Sequence, residues 1–245
     1  MRRYKLIVEY DGTPFFGWQR QEGYITVQQR LEEAVLPMTK TLVTMHGAGR
    51  TDRGVHAFGQ VAHFDTDKNL VAFRIQECMN AYLVDVPISV LDVCEVDDSF
   101  NARFSAVERS YVYKIVNRRA KLGLDENRAW KVIKEIDISR MKEAAALLIG
   151  KHDFSSFRAA GCQSKSPIKT LNSIDIERVN DQIFVKVAAK SFLYHQVRNI
   201  VGSLVQVGVG DWSVDYFKEV FESRDRTRAS VTAPACGLYF NNVKY

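Results

Sequence analysis

The stretch GAGRTDRGVHAFGQVAHF, residues 47–64, starts as a polar, glycine-rich loop and ends as an apolar run. Its first ten residues hold three glycines, two arginines, one aspartate and one histidine, with no hydrophobic side chain larger than Val55. A segment this polar and flexible, set between apolar neighbours, is where a scaffold places its chemistry. Apolar patterning on either side predicts flanking strands over 41–46 and 60–64. The loop could serve a phosphate, a metal or a reacting base. A dinucleotide cradle wants glycine at the first, third and sixth positions, but counting from Gly47 the sixth is Asp52, and no Gly-Lys-Ser/Thr of a P-loop follows. His46, His56 and His63 match no metal-ligand spacing and read better as hydrogen-bonded structural residues. What is left is Arg50-Thr51-Asp52, a carboxylate with guanidinium groups beside it. A nearby cation favours the ionised form, which suits a nucleophile or general base.

Outward from the loop, the chain reads as two halves with one grammar. YKLIVEY over 4–10 alternates as a strand and ends at Asp11-Gly12. Thr26-Val-Gln-Gln opens a helix with a capping-box pattern, and Val27, Leu31, Ala34 and Val35 form its apolar face. A helix over about 70–83 and a strand over 88–96 complete the first half. In the second, strands fall at 109–117, 171–179 and 182–189, the last two turned by Asn180-Asp181. Helices fall at 139–149, 193–207 and 214–223, and a final strand at 237–245. This mixture is α+β, with domains 1–105 and 106–245 joined near 104–108 and a ligand cleft expected between them.

The chain has 245 residues and is 46% hydrophobic, enough for a substantial core. Lys plus Arg number 34 against 29 for Asp plus Glu, a net charge of +5 with a pI near 9.0, which leans toward a polyanionic partner. Cys78, Cys94, Cys162 and Cys236 form no C-x-x-C pair, which argues against a zinc ribbon or a disulfide scaffold. No apolar run approaches the roughly 18 residues of a membrane span, and the start is no signal peptide, so a cytoplasmic protein is expected. FNARFSAVERSYVYKI, 100–115, interleaves Arg103, Arg109 and Lys114 with Phe100, Phe104, Tyr111 and Tyr113. YDGTPFFGWQ, 10–19, adds two glycines and three aromatic rings after the first strand. Cations for phosphates and ring faces for bases are how unpaired RNA is held. Arg198, in the apolar helix of FLYHQVRNIVG, needs a partner, for which Asp52 is the candidate.

In order along the chain, YDGTPFFGWQ, GAGRTDRGVHAFGQVAHF, FLYHQVRNIVGSL and APACGLYF resemble the tRNA pseudouridine synthase A family, whose signature GRTDxGVHA is highly specific. The resemblance runs from Tyr4 to Tyr245. It implies a cofactor-free isomerase, with no metal, that converts uridine to pseudouridine at positions 38, 39 and 40 of the tRNA anticodon stem-loop. It implies two ferredoxin-like or RNA-recognition-like halves with a joined, mainly antiparallel sheet and an active cleft, working as a homodimer. The family's catalytic aspartate falls on Asp52, its base-displacing arginine on Arg50 and its base-stacking tyrosine on Tyr111. The arginine partner of the aspartate falls on Arg198 and the pocket leucine on Leu238, while Arg103 and Arg109 are further candidates for RNA contact. Gln196 stands where the family usually has methionine. Whether Asp52 attacks C6, attacks C1′ or removes the C2′ proton stays open. Two other classes fit parts of the sequence: a non-catalytic RNA-binding module, and a small-molecule nucleotide enzyme opposed by the failed motif spacings.

Overall fold

Alternation in the first ten residues builds strand β1 (Arg2–Tyr10), with Tyr4, Leu6, Val8 and Tyr10 all buried on one face. Helix α1 (Val27–Thr39) begins where Thr26 accepts the Gln29 amide at 3.3 Å, and its expected face of Val27, Leu31, Ala34 and Val35 is fully buried. Strands β2 (His46–Gly47) and β3 (His56–Thr66), helix α2 (Ala72–Tyr82) and strand β4 (Ile88–Val96) follow. The computed structural model describes all residues, Met1–Tyr245. Its elements divide into two units, Met1–Val107 with Tyr239–Tyr245, and Glu108–Leu238.

In the first unit β1 lies antiparallel between β4 and β3. The chain's last strand, Leu238–Lys244, runs parallel to β3, pairing Tyr239 with His56 and Phe240 with Ala57. The division falls at 107/108, not at the expected 105/106, and residues 239–245 return to the first unit instead of staying in the second. The strand expected over 41–46 does not form; only His46 pairs, with His63 across β3. The physical reason is local. Met45's backbone is satisfied by side chains of α1, its carbonyl by Gln28 Nε2 at 3.1 Å and its amide by Glu32 Oε1 at 3.1 Å, so no ladder partner is needed.

The second unit is a sheet of β5 (Glu108–Asn117), β9 (Gln182–Ala189), β8 (Ile168–Val179) and β7 (Gly150–Asp153), antiparallel throughout, with the short β6 (Trp130–Val132) parallel to β5. Helices α3 (Ile138–Ala146) and α4 (Gln196–Gly208) pack against it, and α5 (Val214–Glu222) packs on those two helices. The β8–β9 turn is the expected Asn180-Asp181, with Asn180 left-handed at φ 56°. α4 starts three residues later than the apolar pattern suggests. Gln196 Oε1 takes the Leu193 amide at 2.8 Å while Leu193's carbonyl takes the Gln196 amide at 3.1 Å. That closed turn holds 193–195 out of the helix and gives the Gln196 side chain a structural use. No helix is long and apolar enough to cross a membrane. The α+β class read from the sequence is the class observed, and the last strand, Leu238–Lys244, becomes β10.

Strand β3 carries one strongly perturbed group. His63 is buried, stacks on His46 at 5.0 Å between ring centres, and accepts the Ala102 amide on Nδ1 at 3.2 Å. Burial, helped by the charges of Arg3 and His46, pushes its imidazole down from 6.5 to about 4. The folded state therefore keeps His63 neutral while the unfolded chain takes up a proton near 6.5. Stability from this group is complete above that pH and is lost as pH falls from 6.5 toward 4. Chemical unfolding measured from pH 7 to 4.5 is expected to show His63→Gln losing less stability over that range than wild type. The expected difference in slope approaches one proton, about 1.4 kcal/mol per pH unit; parallel curves would contradict it.

Candidate active site

The loop over 47–56 is pinned along its length. The Ala48 amide donates to Val61 O at 2.8 Å, and Gln60 Nε2 to Gly49 O at 2.8 Å. Thr51 is buried, its hydroxyl 2.8 Å from the Tyr10 hydroxyl and its carbonyl taking the Trp18 amide at 3.0 Å. Burial pushes the Tyr10 phenol well above its ordinary value, so it acts as a fixed hydrogen-bonding post. The Val55 amide returns to Asp52 O at 3.1 Å, closing a turn through Arg53 and Gly54. With Thr51 turned inward, Arg50 on one side is exposed and Asp52 on the other is partly exposed.

What presses on this loop is YDGTPFFGWQ. At Gly12 a Cβ would fall 2.0 Å from Val55 O, and at Gly17 (φ 86°) 2.5 Å from Thr51 O. Both glycines are spaces that the loop's carbonyls fill. The same segment is gripped from its other side by the start of α1, where the Val27 amide donates to Gly17 O at 3.2 Å and the Gln28 amide to Trp18 O at 3.0 Å. Phe15 and Trp18 are each 2% exposed. The expectation that all three rings of this motif are offered to bases is therefore corrected: two belong to the core beneath the loop, and only Phe16 reaches the surface. His56 is structural, as expected. It is buried, stacks on Tyr239 at 4.7 Å, and accepts the Gly12 amide on Nδ1 at 3.0 Å. An Nδ1 that accepts carries no proton, so the Asp11 oxygen 3.2 Å away is no ion-pair partner in that tautomer.

In the second unit Tyr111 and Tyr113 alternate along β5 toward the same face, but their surroundings differ. Tyr113 is fully buried, with its hydroxyl on Pro234 O at 2.7 Å. Tyr111 stays partly exposed, with Phe192 edge-on at 5.1 Å. Arg109 is buried to 9% exposure and gives Nη1 to Lys190 O at 2.6 Å, a strand-end brace rather than an open hand. Arg198 on α4 donates Nε to Ala233 O at 2.8 Å, and the Ala233 amide returns to Arg198 O at 3.2 Å. Its neighbour Asn199 is wholly buried; Nδ2 donates to Phe157 O at 2.9 Å, and Oδ1 accepts from Thr232 at 2.7 Å and Arg226 at 3.1 Å. Together α4 and Tyr113 fasten the segment that delivers Leu238, itself 6% exposed.

The candidates thus fall in two groups. Arg50 and Asp52 share one loop of the first unit, which also carries Arg103, exposed with its guanidinium 5.5 Å from the Phe104 ring. Tyr111, Arg109, Arg198 and Leu238 belong to the second. Sequence reasoning missed Tyr10, Thr51 and Asn199. The one available signal was Asn199, a polar side chain inside an otherwise apolar helical stripe.

A family model described as tRNA pseudouridine synthase matches residues 6–105 and 144–245, which sets the class as enzymes that isomerise uridine. The tRNA pseudouridine synthase A of Paramagnetospirillum magneticum is 51% identical over 245 residues, covering 100% of this chain and 96% of its own. That of Xanthobacter autotrophicus is also 51% identical, covering 100% of both chains. A Cbf5–Nop10–Gar1 complex superposes with a TM-score of 0.34 at 10% identity, over 92% of this chain and 69% of that one, too loose a likeness to argue from. This chain belongs to the tRNA pseudouridine synthase family and is an isomerase that converts uridine to pseudouridine.

The loop's supports make a prediction. Gly12→Ala drives a methyl into the Val55 carbonyl, so a backbone must move. Stability should fall by about 1–3 kcal/mol, and turnover by roughly 10–100-fold from the displaced loop. Gly123→Ala, where a Cβ meets nothing within 4 Å, should leave both unchanged. Melting curves and turnover measured side by side check this; a Gly12→Ala enzyme with wild-type turnover would show that the contact does not set the loop.

Proposed function

We propose that the protein forms pseudouridine at positions 38, 39 and 40 of the tRNA anticodon stem-loop, as a homodimer in the cytoplasm, with Asp52 as nucleophile or general base. The observation that carries this reading is the pinned Arg50-Thr51-Asp52 segment, in which a buried threonine is flanked by an exposed arginine and a partly exposed aspartate. The reaction breaks N1–C1′, turns the detached uracil and joins C5 to C1′. C5 gives up its proton and N1 gains one, so the change is redox-neutral and requires no electron carrier.

Each remaining residue has a part in the proposal. A stacked target must be extruded at a cost of a few kcal/mol, and Arg50, exposed beside Asp52, fills the vacated place. Tyr111 offers a ring face to the uracil during its detached stage, worth roughly 1–3 kcal/mol. A phenol, with an ordinary pKa of about 10, takes the C5 proton only with help from the site. Arg198 is the cation assigned to the catalytic carboxylate, its Nε already committed to Ala233, and Leu238 is assigned to the wall of the uracil pocket. Arg103 is assigned to phosphate contact. Arg109, drawn inward to Lys190 O, is assigned to bracing the strand that carries Tyr111.

The test uses tRNA transcribed with tritium at uracil C5. Isomerisation replaces that hydrogen, so tritium reaches water only if the reaction occurs. Wild type should release it, and Asp52→Asn, with its fold intact by melting, should be slower by at least about 10³-fold. Release by the variant within tenfold of wild type would remove Asp52 from the chemistry.

A further inference from the structure

Arg53 follows Asp52, occupies the unspecified position of GRTDxGVHA, and has no part in the roles assigned above. Its guanidinium carbon sits 4.1 Å from the centre of the Phe16 ring, and Phe16 packs against Tyr24 at 4.2 Å. The platform is itself held: the Phe16 amide donates to Ile25 O at 2.9 Å, and Gln21 Nε2 to Phe16 O at 3.2 Å. The result is a surface ladder of guanidinium, Phe16 and Tyr24, with Tyr24 47% exposed.

The guanidinium is fixed by stacking alone; it makes no hydrogen bond and no ion pair within the protein. Three other arginines of this unit are paired with carboxylates. Arg2 meets Glu95 at 2.7 Å, Arg20 meets Glu32 at 2.6 Å and Arg30 meets Glu33 at 2.9 Å. An arginine side chain has five N–H donors in a planar fork that fits the oxygens of a phosphate two at a time. When one face rests on an aromatic ring, the fork stays presented and little freedom is lost on binding an anion. The nearest charges in sequence are the Asp52 carboxylate, one residue before, and the Arg50 guanidinium, three before; Arg20 and Glu22 lie on the loop that carries Tyr24. A side chain adjacent to Asp52 also reaches the substrate close to where the reaction occurs, since consecutive Cα atoms are only about 3.8 Å apart.

We propose that Arg53, held on Phe16, is a specificity-determining contact that receives an RNA phosphodiester flanking the target uridine. This rests on the reading of tRNA as the substrate of the Asp52 loop. It adds a residue that sets where the RNA backbone enters, and the position is one where the family signature leaves the choice open.

The test measures the affinity of the full-length protein for unmodified tRNA as a function of salt, beside the single-turnover rate at saturating enzyme. Arg53→Ala should weaken binding about 5–10-fold near 100 mM salt and flatten the slope of log K against log salt by about 0.7–0.9. Its single-turnover rate should stay within about threefold of wild type. Arg53→Lys should keep the slope and lose part of the affinity, because its charge remains without the planar fork. Phe16→Leu should weaken binding with the slope retained. Unchanged affinity and slope in Arg53→Ala would overturn the proposal. So would weakened binding with an unchanged slope, which marks base stacking, or a rate loss with affinity intact, which marks an effect on Asp52. A wild-type protein that binds tRNA but releases no tritium would defeat the proposed function while the salt slopes still decided the role of Arg53.

Discussion

The structure around Asp52 depends on two backbones meeting without side chains between them. Gly12 and Gly17 lie so close to the carbonyls of Val55 and Thr51 that no Cβ fits at either glycine. Thr51 O is in turn fixed by the Trp18 amide, and the carbonyls of Gly17 and Trp18 are fixed by the first amides of α1. The loop is thereby tied to the start of a capped helix through one intervening strap. Such a chain of backbone contacts has little slack, and reactive groups need placement to within about 0.5 Å. The Tyr10–Thr51 hydroxyl pair completes the lock from within the sheet, with Arg50 exposed and Asp52 partly exposed on either side of Thr51.

The second unit solves the same problem with side chains. α4 is buried on nearly every face, so its polar residues are not surface decoration. Arg198, Asn199 and, across the segment, Tyr113 take successive backbone and hydroxyl groups of Ala233, Thr232 and Pro234. Gly202 and Gly237 sit where a Cβ would strike Val231 O and the Tyr113 ring. An irregular segment leading to Leu238 is thus as firmly held as a strand, though it makes no ladder. Arg198 serves this scaffold through Nε whatever else it does, so its substitution disturbs structure.

Much of this is legible in the sequence. Period-two and helical patterns locate β1, β4, α1 and the β8–β9 hairpin closely, because there side-chain burial and backbone pairing agree. The reading fails where side chains replace backbone partners: at Met45, where Gln28 and Glu32 take the place of a ladder partner, and before α4, where Gln196 closes a turn. It also fails at the rings of YDGTPFFGWQ. A sequence shows that a motif is glycine-rich and aromatic but not which partner it packs against. Here the partner is the loop itself, about forty residues further along. The return of residues 239–245 to the first unit was illegible for the same reason, as parallel pairing over two residues leaves no pattern.

The central proposal is that a backbone-locked loop presents Asp52 to a uridine of the anticodon arm. Carbodiimide adducts of pseudouridine stop reverse transcriptase, so primer extension on a tRNA transcript treated with the protein maps the product base by base. The account predicts stops at uridines in positions 38, 39 and 40 with wild type, and none with Asp52→Asn. Stops elsewhere in the tRNA, or the same stops with the variant, would contradict it.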